Sequence, residues 1–443
     1  MDDITRPLMR VARSSSIDNM LDLKYIKENI AAVKENTHNR KAQADPELVV
    51  ALYDQRGGVL RQIEKLRRER NQNAASMKAR LPEQQRAQLT QRGRQLKHQI
   101  DELNGQLSAV ETELNQEALR IPNMSHSDCP IGASEEDNRE VRRWGGPPQF
   151  GFKALDHVEI GKRLDILDFD TAAKVAGQKF YYLKHQGVFL EWALVKYAFD
   201  VLLREGFTIT MTPDVAREET VLGLGFNPRG PESNIYRLDE TGLCLVGTSE
   251  ITLGGYYQSE VIPVEDLPVK LAGFSHCFRR EAGAAGQYSK GLYRVHQFSK
   301  VEMFIFSHPE ESERMHTAIL EIEERIFQEL GIPYRVVDVC TGDLGGPAFR
   351  KYDLEAWMPG RGESGGWGEI TSASNCTDYQ ARRLGIRFRE NRKNKFVHML
   401  NGTAIAVSRA LIALLENYQN EDASVTLPEV LHKYAGFSTI PAD

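Results

Sequence analysis

Cysteine is scarce and badly placed for structural chemistry: Cys129, Cys244, Cys277, Cys340 and Cys376 lie far apart in a 443-residue chain, with no CxxC pair and no Cys/His ligand spacing. That pattern argues against a zinc module or a disulfide-stapled scaffold and suits a reducing compartment. No zinc and a cytoplasmic location are therefore expected. The 11 histidines show no ligand spacing either. No run of 18 apolar residues occurs, and the N-terminus lacks the apolar core of a secretory leader, so no membrane-spanning helix is expected. Overall positive charge is also missing, with 56 Lys and Arg against 62 Asp and Glu, a formal net charge of -6. Any contact with nucleic acid must then come from a locally basic segment.

What is present is enough for a large folded protein. A chain of 443 residues with 41% hydrophobic content exceeds one ordinary core and implies two or more domains. Residues 1–19 read as an unstructured extension before a domain start at Met20-Leu21-Asp22. The arginines and serines there are compatible with organelle targeting, but Asp2 and Asp3 are unfavourable for it.

Between about 47 and 121 the composition is helical, rich in Arg, Gln, Glu and Leu. Leu96, Ile100, Leu103, Leu107, Val110 and Leu114 recur at spacings of 4, 3, 4, 3 and 4, and Leu52, Val59, Ile63 and Leu66 supply a matching upstream seam. Such spacing makes a coiled coil. The seam falters at Ala79-Arg80-Leu81-Pro82, where proline favours a turn, so two helices should fold into an antiparallel hairpin. From Arg61 to Lys97 there are 11 Lys and Arg against 3 Glu, an excess of 8. Arg61, Lys65, Arg68, Lys78, Arg80, Arg92 and Arg94 are the candidate contacts to a polyanion, although a solvated helix surface or a dimerisation coiled coil would carry similar charge. Ile121-Pro122-Asn123 closes the arm, placing a first domain at 20–125, and text rich in Ser, Asp, Gly and Pro over 126–154 reads as a linker.

From 155 to 443 the pattern turns to short strands, glycine-rich loops and a few helices, as expected of an α+β domain with an antiparallel sheet. Residues 271–281 and 294–306 read as a strand pair. Period-two alternation puts His296, Phe298, Lys300 and Glu302 on one face, with Arg279 closing the first strand. A guanidinium, a ring and a carboxylate on one surface suit a phosphate, a base and an ammonium or hydroxyl. Phe298 as core and Arg279 paired with Glu281 would account for the same residues. Gly360-Arg361-Gly362-Glu363-Ser364-Gly365 matches GxGxxG, but Pro359 precedes it and a strand-like WGEITSAS follows, so the strand-turn-helix context of a dinucleotide site is missing.

The wording of these segments is more specific than their pattern. FRREAG (278–283) and GLYRVHQFSKVEMF (291–304) resemble motif 2 of class II aminoacyl-tRNA synthetases in its seryl form, NGTAIAVSRALIALLENYQ (401–419) resembles motif 3, and GTSE (247–250) resembles a serine-binding Thr-x-Glu element. Motif 2 thus spans about 271–306, motif 3 about 396–419, and a vaguer motif 1 about 188–215 with Pro213 at the class proline. The likeness to the seryl-tRNA synthetase family runs from Met20 through nearly the whole chain.

The resemblance implies activation of L-serine by ATP to seryl-adenylate and transfer to tRNA(Ser), with tRNA(Sec) as a second acceptor, by a C2 homodimer that binds tRNA across its two subunits. It implies that Arg279 grips the α-phosphate, Glu281 the adenine amino group, Phe298 the adenine ring and Arg409 the γ-phosphate. Arg280, Val295, Ile370 and Thr371 complete the ATP contacts, and Glu369 with Ser372 would bind Mg2+. Thr248, Ser249, Glu250, Glu302, Asn401 and Thr403 would shape the serine site. Arg280 departs from the small residue usual inside FRxEAG, and AIAVSR departs from the glycine-containing form of motif 3. A paralogue that activates serine or an analogue for a carrier protein, or a non-catalytic coiled-coil RNA-binding protein, are the rival readings. The basic arm disfavours the first, and Arg279, Glu302, Glu369 and Arg409 disfavour the second.

Overall fold

The computed structural model describes residues 21–79, 81–229, 233–282 and 289–442, so the extension 1–19, Arg80 and residues 283–288 of the motif 2 loop lie outside the described residues. The chain divides into two compact units, Met1–Pro122 and Asn123–Asp443.

Among the described residues, every regular element of the first unit is a helix. Helix α1 (Leu23–Glu28) starts at Asp22, whose carboxylate accepts the Lys24 N–H at 2.8 Å, and α2 (Ile30–Asn39) follows. Helix α3 (Pro46–Ser76) has Pro46 in its first turn and Asp45 as its cap, accepting from the N–H groups of Glu47 and Leu48 at 3.0 Å each. Proline there forfeits no hydrogen bond, and the carboxylate satisfies two otherwise unpaired donors. Helix α4 (Glu83–Ala118) begins after Pro82, so the expected turn falls between these two long helices. Their pairing is antiparallel: Arg56 meets Glu111 at 2.9 Å, Glu69 meets Arg92 at 2.8 Å, and the Asn73 amide donates to the Leu89 carbonyl at 2.9 Å. Leu52, Val59, Ile63, Leu96, Ile100, Val110 and Leu114 are buried along the seam, whereas Leu66, Leu103 and Leu107 are half-buried.

The second unit is built on one eight-stranded sheet of β1 (Arg139–Trp144), β2 (Thr208–Met211), β3 (Val269–Phe278), β4 (Gln297–Ser307), β5 (Tyr334–Asp338), β6 (Arg350–Met358), β7 (Gly366–Asn375) and β8 (His398–Ala406). The order across it is β1-β5-β6-β7-β8-β4-β3-β2. Every pair is antiparallel except β2 with β3, which runs parallel at the edge. The segment expected to be a linker therefore contributes an edge strand: Arg139, Glu140, Arg142, Arg143 and Trp144 pair with β5, Val141 is the extra residue at a register shift, and the whole strand stays exposed. Helices α5 (Gln186–Arg204), α6 (Ser312–Glu329) and α7 (Val407–Asn417) pack on the sheet through a core that includes Leu194, Ile319, Phe327 and Leu411.

Two irregularities position side chains. On β7, Leu354 of β6 pairs with Thr371 and Glu355 with Glu369, leaving Ile370 as an extra residue. A bulge of this kind resets the alternation, which lets Glu369 and Ser372 line the same cleft although they are an odd number of positions apart. On β8, Val301 of β4 pairs with Ile405 and Glu302 with Thr403, so Ala404 is the extra residue and Glu302 faces Thr403 directly.

Candidate active site

The middle of the sheet opens into a cleft of about 360 Å³ whose walls are mostly polar side chains from β4, β7, β8, the start of α7 and the segments flanking them, Arg279 just past β3 included. At its deep end β4 and β8 bring three carboxylate partners together. Glu302, 1% exposed, forms an ion pair with Lys300 and accepts from the Thr403 hydroxyl at 3.2 Å and the Asn401 amide at 3.3 Å. The same Asn401 amide lies 3.3 Å from Glu250, which also accepts from the Gln380 amide at 2.8 Å. Burial pushes the Glu250 carboxyl up to about 7, and the nearby charge of Glu302 pushes the same way. Thr248 supports this corner, its hydroxyl accepting the Glu250 N–H at 3.1 Å. Two acids sharing one amide make a pocket suited to a small ligand bearing an ammonium and a hydroxyl.

Toward the cleft's other end, the Arg279 guanidinium lies 5.2 Å from the Phe298 ring centroid, and its Nε donates to the Gly247 carbonyl at 3.2 Å. Arg279 does not pair with Glu281. Glu281, held at a positive φ of 50°, pairs with Arg294 at 2.8 Å. Phe298 is half-buried and lines the cleft with Val295, so it is not spent as core. Arg409, in the first turn of α7, reaches both the backbone carbonyl and the carboxylate of Glu369 at 3.0 Å and lies 4.8 Å from the Tyr293 ring centroid. Burial raises Glu369, but the positive charges of Arg409, Lys351 and Arg279 outweigh it and hold this carboxyl below its ordinary value.

Most residues singled out from sequence converge here: Thr248, Glu250, Arg279, Glu281, Val295, Phe298, Glu302, Glu369, Ile370, Thr371, Ser372, Asn401, Thr403 and Arg409 all line the cleft. Two stand apart. Ser249 is fully buried with its hydroxyl donating to the Gly273 carbonyl at 3.0 Å, and Arg280 is exposed beyond the lining. The Thr371 hydroxyl is committed to buried Glu323 at 2.7 Å. Lys300, Tyr293, Arg294 and Asn234 also line the cleft. Strand alternation signalled the face of Lys300; Tyr293 ends a short 3-10 turn and Arg294 and Asn234 stand on irregular backbone, where no periodicity reports them.

On the arm, Arg61, Lys65, Arg68, Lys78 and Arg94 are exposed. Arg92 is exposed as well but engages Glu69. All five cysteines are buried and none is in a disulfide, and no group of three or more metal-ligating His, Cys, Asp or Glu occurs among the described residues. No helix among them is long and apolar enough to cross a membrane.

An antiparallel sheet carrying this cleft is the core of a class II aminoacyl-tRNA synthetase, and residues 236–418 match the tRNA synthetase class II core domain of the G, H, P, S and T type. Residues 20–125 match the seryl-tRNA synthetase N-terminal domain. A serine–tRNA ligase of Treponema denticola is 54% identical over 422 residues, covering 95% of this chain and 100% of that relative. The crystal structure of seryl-tRNA synthetase from Pyrococcus horikoshii complexed with ATP is similar at a TM-score of 0.90 and 40% identity, covering 96% of this chain and 100% of that one. The cytoplasmic serine–tRNA ligase of Naegleria fowleri in complex with AMP gives a TM-score of 0.83 at 31% identity, covering 96% and 99%. The chain belongs to the seryl-tRNA synthetase family.

Proposed function

We propose that the cleft ligates serine to tRNA in two steps, and the observation that carries this reading is the spacing of its two halves: an acid-and-amide pocket around Glu302 at one end, an arginine-rich wall at the other. Serine's ammonium fits between Glu250 and Glu302, and its hydroxyl fits Thr403 and Asn401. Adenine stacks on Phe298 beside Glu281, the α-phosphate meets Arg279, and the terminal phosphate meets Arg409 at the amino end of α7, where the helix dipole also favours an anion. The serine carboxylate attacks the α-phosphorus and pyrophosphate leaves. No protein nucleophile is required, because positioning and neutralisation of developing phosphate charge supply the acceleration. The terminal ribose hydroxyl of tRNA(Ser), or of tRNA(Sec), then displaces AMP from the seryl carbonyl.

Glu369 and Ser372 suit Mg2+, since hard oxygen donors and one or two carboxylates are its usual protein ligands. Asp353 Oδ1, buried beside them without a hydrogen-bond partner, fits the same chemistry. When bound, the ion held by these residues would supply positive charge that lowers the repulsion met by the attacking carboxylate.

The arm's exposed Arg61, Lys65, Arg68, Lys78 and Arg94 suit an RNA backbone, and we assign the arm to the tRNA. A homodimer is supported by the apolar outer face of α5, where Phe189 is 60% and Trp192 56% exposed, next to an edge strand ending in Met211 at 72%. The reaction would then take place in the cytoplasm, with each tRNA held across the two subunits. ATP–pyrophosphate exchange with each amino acid, followed by charging of purified tRNA, tests the assignment. Serine should be preferred over alanine by about 10⁴, because the groups that hold its hydroxyl would stay unpaired around a methyl. Comparable activation of alanine overturns the roles of Glu302 and Thr403.

A further inference from the structure

The glycine-rich stretch 359–368, whose GxGxxG spacing has no dinucleotide context, lies beside the phosphate end of the cleft. Its backbone is fixed at both ends. The Gly360 N–H donates to Glu416 at 2.8 Å, and Glu416 also accepts from the N–H of His157 at 3.0 Å and from its ring at 2.8 Å. A Cβ at Gly360 would come within 2.6 Å of the Asp156 backbone, so only glycine passes there. Gly365 closes the loop at φ 82° against Trp357. Between these anchors the Arg361 N–H donates to the Met358 carbonyl at 3.0 Å, which turns the arginine back along the strand. Its side chain then crosses the two glycines of β7: a Cβ at Gly366 would lie 3.2 Å from Arg361 Cδ, and one at Gly368 would lie 2.9 Å from Arg361 NH1. The GxG of Gly366-Trp367-Gly368 is thus a bed for an arginine, not for a pyrophosphate.

That bed delivers the guanidinium to Tyr293. Arg361 and Arg409 each lie 4.8 Å from the centroid of that single ring. Tyr293 and Arg409 line the cleft, whereas Arg361 stands outside its lining. We infer that Arg361 is a positioning residue for ATP: through its contact with Tyr293 it holds the ring against Arg409, and so fixes the Arg409 guanidinium where the terminal phosphates of ATP bind. This rests on the assignment of Arg409 to the terminal phosphates. Glu369 holds Arg409 from one side, through its backbone carbonyl and a carboxylate that is 45% exposed, and the ring bears on the face of the guanidinium, limiting its rotation about those bonds. A planar guanidinium also packs on a ring in a way that an ammonium cannot reproduce.

The inference makes a prediction that a scaffolding role does not. A loop that merely supports the fold would weaken every ligand of the cleft, whereas a clamp on Arg409 matters only to ligands that carry the β- and γ-phosphates. ATP–pyrophosphate exchange with the full-length protein should show the KM for ATP rising roughly three- to tenfold in Arg361→Ala, the scale of one such contact. The KM for serine and the affinity for seryl-sulfamoyl-adenosine, which lacks those phosphates, should stay within twofold. Arg361→Lys should fall between wild type and Arg361→Ala, and it carries the same test if the alanine variant does not fold. In a cycle with Tyr293→Leu, the double variant should be no worse than the more damaged single one. An unchanged KM for ATP, or parallel weakening of ATP and the adenylate analogue, overturns the inference while leaving Arg409 in place. If Arg409→Ala also leaves the KM for ATP unmoved, the phosphate assignment itself fails, and the inference with it.

Discussion

On the helical arm, Arg61, Lys65, Arg68 and Arg94 stand in solvent, and a pair such as Arg68 with Glu64 at 3.6 Å joins two exposed groups. In the catalytic sheet, Lys300, Glu302 and Glu250 are 5%, 1% and 8% exposed, and each is held by named partners. A solvated charge contributes little to stability and can be replaced or moved at small cost. A buried one is tolerated only while its partners are present, and removing one partner leaves an uncompensated charge. The arm can therefore spread its function over many weak contacts, whereas the cleft concentrates it in a few groups that cannot be exchanged.

The largest effect should come from separating the two regions. Deleting residues 48–118 and closing the gap with a short linker removes every arm cation while leaving all the cleft residues. Serine activation should remain near normal, and charging of tRNA should fall by about a thousandfold at physiological salt, the scale of losing several phosphate contacts. Equal charging by the truncated protein would make the arm a structural element only. Next in size, Arg279→Ala should lower ATP–pyrophosphate exchange about a hundredfold, corresponding to roughly 3 kcal/mol of lost transition-state stabilisation. Its tRNA affinity should not change. Exchange within a few-fold of wild type would remove Arg279 from the reaction.

A smaller effect tests how burial tunes the cleft. Glu250 has its carboxyl raised from 4.5 to about 7, first by burial and then by Glu302, with Gln380, Lys300 and Arg279 opposing. An acid raised on folding keeps a proton that the unfolded chain releases, so this group's contribution to stability falls as pH rises from about 4.5 to 7. Serine binding runs the other way. Its ammonium favours the ionised acid, so the KM for serine should drop about tenfold between pH 6 and pH 8, with a proton released on binding. In Glu250→Gln that slope should vanish. A flat profile in the wild-type protein would show that Glu250 is ionised throughout.

The same contrast explains what the sequence made legible. The heptads of α3 and α4 reported the hairpin because each seam residue meets neighbours at a fixed spacing on one partner helix. The strand alternation of β4 likewise placed Phe298, Lys300 and Glu302 together. Strict alternation would put Glu369 and Ser372 on opposite faces; the bulge at Ile370 brings them to one cleft, and only the family wording singled them out. Residues 139–144 escaped as a strand because both faces are exposed and no apolar alternation marks them. Arg294 as the partner of Glu281, and Tyr293 beside Arg409, could not be read from spacing, since they sit at the end of a single 3-10 turn, too short to carry a period. The resemblance of GTSE assigns Ser249 to the serine site with Thr248 and Glu250, but its hydroxyl turns inward to Gly273.

The finest test concerns single charges on the arm. Arg61, Lys65, Arg68 and Arg94 have no common pocket, so each replacement by alanine should weaken tRNA binding only two- to threefold, near-uniformly among serine tRNAs. What distinguishes a phosphate contact from a general field is the salt dependence: each one lost should reduce the slope of log K against log salt by about 0.7 to 0.9. Arg92 should behave differently, because its guanidinium already meets Glu69 at 2.8 Å. Its replacement should leave the slope nearly unchanged, and Glu69→Gln should strengthen binding slightly by releasing the arginine. If Arg92→Ala shifts the slope as much as Arg61→Ala does, the pair opens on binding, and the exposed cations are no more available to RNA than the paired one.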